Sequence, residues 1–77
     1  MKNKETVIRE TIRLNIINKR KAMNLNQTEL AKLVGLKKTT VASWEQGISS
    51  PDIDTIVKLL KLFNMNFYEF TGIDDEH

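Results

Sequence analysis

Apolar residues recur three or four positions apart along nearly the whole chain, and no stretch alternates in the manner of a strand. The first helical pattern runs from about residue 5 to residue 23 with no glycine or proline inside it. Ile8, Ile12, Ile16 and Met23 share one stripe there, while Val7, Leu14 and Ile17 lie on roughly the other side. A helix wet on one side does not carry three aliphatics there. Either this helix is split and repacked, or its second stripe meets a partner.

Asn24 and Leu25 link it to the stretch NQTELAKLVGLKKTTVASWEQG, residues 26–47, which reads as two short helices and a tight turn. Asn26 is an N-cap, and Glu29 stands where a capping box needs it. Leu30, Leu33 and Val34 form the inner stripe of the second helix, and Gly35 ends it where a positive φ costs least. Leu36, Val41 and Trp44 mark the inner side of the third, with the small Ala31 facing Val41 so that the two helices cross closely. Lys38, Thr39, Ala42, Ser43 and Gln46 fall outward. This outer face is polar, short-chained and nearly uncharged, where a helix kept for solubility would carry Glu and Lys.

Beyond Gly47 comes a loop over residues 48–51, in which Pro51 suits a first helical turn. Asp52 or Ser50 caps the fourth helix, whose stripe is Ile53, Ile56, Val57, Leu60 and Phe63, widened by Leu59 and Leu62. Asn64 closes it. Asn66 caps a last short helix carrying Phe67, Tyr68 and Phe70, and Gly72 stops that one. The pattern predicts an all-α chain forming one domain over residues 1–77, with its core at about 8–72 and flexible ends at 1–4 and 73–77.

A chain of 77 residues is one small domain, and such domains bury only about 60% of their surface. Cysteine is absent, so no disulfide frame or thiolate zinc site is available. No apolar run approaches the roughly 20 residues of a membrane span, and the first residues lack a signal-peptide layout. These features predict a soluble cytoplasmic protein that does not meet a membrane. The net charge is only +2 but unevenly placed. Residues 1–38 hold ten Lys or Arg against three Glu, while residues 39–77 hold two Lys against seven acids. The basic half can favour a polyanionic partner, although a solvated helix face more often explains such runs.

At this point the residues resemble a known family. Gln27, Ala31, Gly35, Val41 and Trp44 match, at the same spacing, the defining positions of the Cro/CI-type (XRE-like) helix-turn-helix. NLNQTELAKLVGL, then WEQG, SPD and NFYEF, follow that family in order over roughly residues 12–72. The resemblance implies a compact, lambda-repressor-like bundle of five helices. Helices two and three form the helix-turn-helix, and the third lies in the major groove of double-stranded DNA. Carried over by position, it implies base contacts from Lys38, Thr39 and Ser43, with Ala42 and Thr40 near enough to add apolar or backbone contacts. Lysine donates to guanine O6 and N7, and threonine or serine donates, accepts or touches a thymine methyl. Asn26, Gln27, Lys37 and Ser49 stand beside the DNA backbone. Arg20 and Glu45 form a structural ion pair tying the first helix to the end of the third. The family usually has Ser or Thr where this chain has Lys37, so the third helix loses its side-chain cap. The loop after Gly47 is often basic in the family but here reads Ile48, Ser49, Ser50, which predicts fewer ionic contacts and a shallow salt dependence.

Catalysis has no support: the lone histidine is terminal, and there is no nucleophile elbow, phosphate-cradling loop or metal-ligand cluster. No cofactor is expected. One module reads few bases, so a homodimer is expected, joined through Phe67, Tyr68, Phe70 and Ile73, with Val7, Leu14 and Ile17 as further candidates. A protein partner, as in an antitoxin, is the alternative use of that surface.

Overall fold

The computed structural model describes residues 4–73, and all its regular elements are helical. They are α1 (Lys4–Ala22), α2 (Gln27–Leu33), α3 (Lys38–Glu45), α4 (Ile53–Phe63) and α5 (Phe67–Thr71). The expected five-helix, all-α architecture is therefore the observed one. Met1–Asn3 and Asp74–His77, most of the two ends expected to be flexible, lie outside the described residues. Lys4 already belongs to α1.

Local chemistry sets most of the helix ends. Asn26 and Asn66 each build a full capping box: the side chain accepts the amide three residues on, and Glu29 or Glu69 returns a bond to the cap amide. Asp52, rather than Ser50, caps α4 by accepting the Thr55 amide at 2.9 Å. Pro51 is buried just ahead of that cap and is not in the first turn. At the other ends, Asn24 and Asn64 take positive φ values of 58° and 55°. There the next amide reaches back to a carbonyl of the last turn, Leu25 to Arg20 and Met65 to Leu60.

The core joins all five helices. Ile12 and Ile16 of α1 meet Leu30, Ala31 and Val34, Val41 and Trp44, Ile56, Leu59 and Phe63, and Phe70. The ring of Phe70 packs on Phe63 with centroids 6.4 Å apart. Asn15 fastens α5 to α1 by donating to the carbonyls of Glu69 and Phe70 at 3.2 and 3.0 Å.

Several expected core positions lie outside it. Leu33, Ile53 and Val57 are 57%, 63% and 45% exposed, and Leu36 and Met23 are also open. Each sits one step round its helix from the buried line, or in a turn beyond a helix end. The apolar stripe of α4 is wider than the surface it packs on, and Leu59, taken as marginal, is at its centre with no exposure. Helix α1 runs unbroken, which removes the split-helix alternative. Val7 and Leu14 stay 49% and 43% exposed, and Ile17 is half-buried. Phe70, expected at a dimer interface, is fully enclosed within its own subunit and cannot serve there. Phe67 and Tyr68, stacked edge to face, remain exposed, and Ile73 is half-buried.

Candidate nucleic-acid interface

The second and third helices pack closely, and the buried side chains of α3 lie on one side of it. Val41 has no exposure and Trp44 has 3%. Ala31, at 1%, removes the bulk that would hold the helices apart. Gly35 lies at φ 74°, and the Leu36 amide returns to the Ala31 carbonyl at 2.8 Å, which turns the chain into α3. On the other side, Lys38, Thr39 and Gln46 are exposed, while Thr40, Ala42 and Ser43 are half-buried. The sequence placed this outward face correctly. Lys37 precedes it in extended conformation, and no side chain caps the first turn of α3.

Glu45 is the hub that fixes α3 against its neighbours. Arg20 grips it with two parallel bonds, Nε to Oε2 at 2.7 Å and a terminal nitrogen to Oε1 at 3.0 Å. The remaining terminal nitrogen of Arg20 holds the Leu25 carbonyl at 2.8 Å. Both side chains are largely covered, at 12% and 9% exposure. Burial pushes the Glu45 carboxyl up, but the bonds from Arg20 and Gln27, with the charges of Arg20 and Lys21, outweigh it and hold the group below its usual range. The Arg20 guanidinium is raised, chiefly by its bond to Glu45.

Gln27 departs from expectation. Its Nε2 donates to Glu45 Oε1 at 3.1 Å, so it is a third member of this clamp and is half-buried. A structural use for this glutamine was missed because its partner lies eighteen residues away. Asn26 spends its carbonyl oxygen on the Glu29 amide. Ser43 and Ser49, expected at a base edge and a phosphate, share one hydrogen bond of 2.7 Å. The Ile48 and Ser49 amides both point to the Ser43 carbonyl, at 3.0 and 3.4 Å, and Gly47 makes this turn at φ 78°.

Two further arginines were not singled out. Arg13 donates to the Glu45 carbonyl at 3.4 Å and to Glu10 at 2.8 Å. Arg9 donates to the Ser50 hydroxyl at 3.3 Å. A cleft of about 190 Å³ opens between this part of α1 and the loop after α3. The signal was present in the sequence: positions 9, 13 and 20 fall on one face of a helix.

The helix-turn-helix family matches residues 16–70, which take in α2 to α4 whole and most of α5. The chain belongs to the helix-turn-helix family. It is 34% identical to the cryptic phage CTXphi transcriptional repressor RstR of Vibrio cholerae, over 69% of this chain and 52% of that one. It is 32% identical to the antitoxin PezA of Streptococcus pneumoniae, over 78% of this chain and 38% of PezA. An uncharacterized HTH-type transcriptional regulator of Archaeoglobus fulgidus is 32% identical over 74% of this chain and 80% of its own length. The chain thus spans about half of RstR and less than that of PezA. No solved structure matches it significantly. Among the described residues, no helix is long and apolar enough to cross a membrane, and no cluster of acidic, His or Cys side chains could hold a metal ion.

Proposed function

We propose that this chain is a sequence-specific, double-stranded DNA-binding transcriptional regulator that reads operator half-sites with α3 in the major groove. The observation that carries the reading is the one-sided burial of α3. Val41 and Trp44 hold it from within, and the opposite face offers Lys38 and Thr39 to a groove, with Thr40, Ala42 and Ser43 partly open beside them. The repressor and regulator relatives favour the same reading. Lys38, Thr39 and Ser43 are the base contacts, with Thr40 and Ala42 beside them. Asn26, Lys37, Ser49 and the second amide hydrogen of Gln27 face phosphates. The protein acts as a homodimer through Phe67, Tyr68, Ile73, Leu14 and Ile17, which would place two half-sites about 34–36 Å apart.

Selection of bound sites from random duplexes tests this. Lys38→Ala is expected to relax preference at one base position, by about 1–3 kcal/mol, and to leave the others alone. Retention of the parental preference by Lys38→Ala would remove the docking register. Sedimentation of a monomer at high micromolar concentration, even on the selected duplex, would remove the dimer.

A second reading is an antitoxin-like module whose main work is to grip another protein. Its support is the similarity to PezA together with Val7 and Leu14, which stay partly exposed. Co-purification of a small protein that is lost on Leu14→Asp would favour it.

A further inference from the structure

The loop that follows α3 carries no cation of its own: Ile48, Ser49, Ser50 and Pro51 lead to Asp52. A cation nevertheless stands beside it. Arg9, Arg13 and Arg20 lie on one side of α1, and each donates across to the end of α3 or to this loop. They differ in the charge they meet. Arg20 is answered by Glu45 and Arg13 by Glu10. Arg9 is exposed, and among the described residues no carboxylate pairs with it. Its bond to Ser50 uses Nε alone, so both terminal nitrogens stay available.

Arg9, Ser49 and Ser50 line the same cleft, and Ser49 is tied directly to Ser43 on the outer side of α3. A guanidinium with two adjacent hydroxyls matches a phosphate oxyanion, which seeks a cation and several donors converging from different sides. Two acids border the corner. Glu10 is held by Arg13, and Asp52 accepts from the Thr55 amide, so each is already engaged.

We propose that Arg9, together with Ser49 and Ser50, forms a binding corner for a DNA-backbone phosphate, so that α1 supplies the cation that the loop lacks. This rests on the duplex-binding reading above.

The test is fluorescence anisotropy on the selected duplex and on a scrambled one, across a salt titration, for the parent, Arg9→Gln, Arg9→Lys and Ser50→Ala. Loss of one ionic phosphate contact is expected to lower the salt slope by about 0.9 and to weaken binding about eightfold at 0.1 M salt. Arg9→Gln should show this loss equally on both duplexes, with an unchanged melting temperature. Arg9→Lys should keep most of the slope, and Ser50→Ala should weaken binding while keeping it. Parental affinity and slope in Arg9→Gln would overturn the corner and leave Arg9 as a loop tether, as would a loss confined to the selected duplex. A parent protein that selects no duplex at all would instead sink the regulator reading itself.

Discussion

The hydroxyls of Ser43 and Ser49 lie 2.7 Å apart, joining the outer face of α3 to the loop behind it. Neither serine therefore meets a ligand independently. On the proposed docking, a base contact by Ser43 must use whatever donor or acceptor capacity this bond leaves, since either hydroxyl can be the donor, and the bond to Ser49 restricts its rotamer. If Ser43 reads a base as proposed, Ser49→Ala is expected to loosen preference at that base, in addition to any loss of phosphate contact. Site selection on Ser49→Ala and Ser43→Ala checks this. Changes at different base positions would separate the two serines.

The clamp around Glu45 should dominate the polar contribution to stability. Breaking a covered ion pair from one side leaves the partner charge without compensation, at a cost of about 3–5 kcal/mol. Glu45→Ala is expected to fall in that range by urea unfolding. Replacing Arg20 and Glu45 together with Met and Leu should cost less than Glu45→Ala alone, because no charge is then left stranded.

Acid should weaken the fold through the same carboxylate. Glu45 is held below its ordinary value of 4.5 in the folded chain. Its contribution is complete above that value and is lost as pH falls through the lower, folded one. The slope of unfolding free energy against pH below about 4.5 should be shallower in Glu45→Gln than in the parent. Asp52 is also lowered, mainly by its bonds from Thr55, and will leave a residual slope.

Phe70 and its neighbours in α5 should separate by readout. Phe70 has no exposed surface, and truncating a buried phenylalanine costs about 3–5 kcal/mol, so Phe70→Ala should unfold readily. Phe67→Ala and Tyr68→Ala remove half-open rings and should leave the melting temperature within a few degrees of the parent. Their effect is expected instead on self-association, measured by analytical ultracentrifugation.

Much of this architecture was legible from local signals. Caps act over three residues, so Asn26 with Glu29 and the cap at Asn66 could be read directly, as could Gly35, Asn64 and Gly72, whereas the return bond from Glu69 came only with the structure. The inward pair Val41 and Trp44 followed from helical spacing. What periodicity cannot give is which part of a wide stripe is covered. Ile53 and Val57 look as apolar as Ile56 and Leu59, and only the position of the neighbouring helices separates them. Contacts between distant residues were hidden for the same reason. Gln27 read only as a phosphate contact because Glu45 is far along the chain, and Arg9 counted only toward the basic half because Ser50 is forty-one residues away. The Arg20 and Glu45 pair was anticipated only through the family resemblance.

Because α3 is held through Val41, Trp44 and the clamp on Glu45, none of which involves Lys38 or Thr39, the fold has no stake in what stands at those two positions. On the proposed docking, exchanging those two side chains would redirect the protein to a different stretch of duplex while leaving the melting curve almost untouched. Evolution, or an engineer, could retarget the address without renegotiating the scaffold.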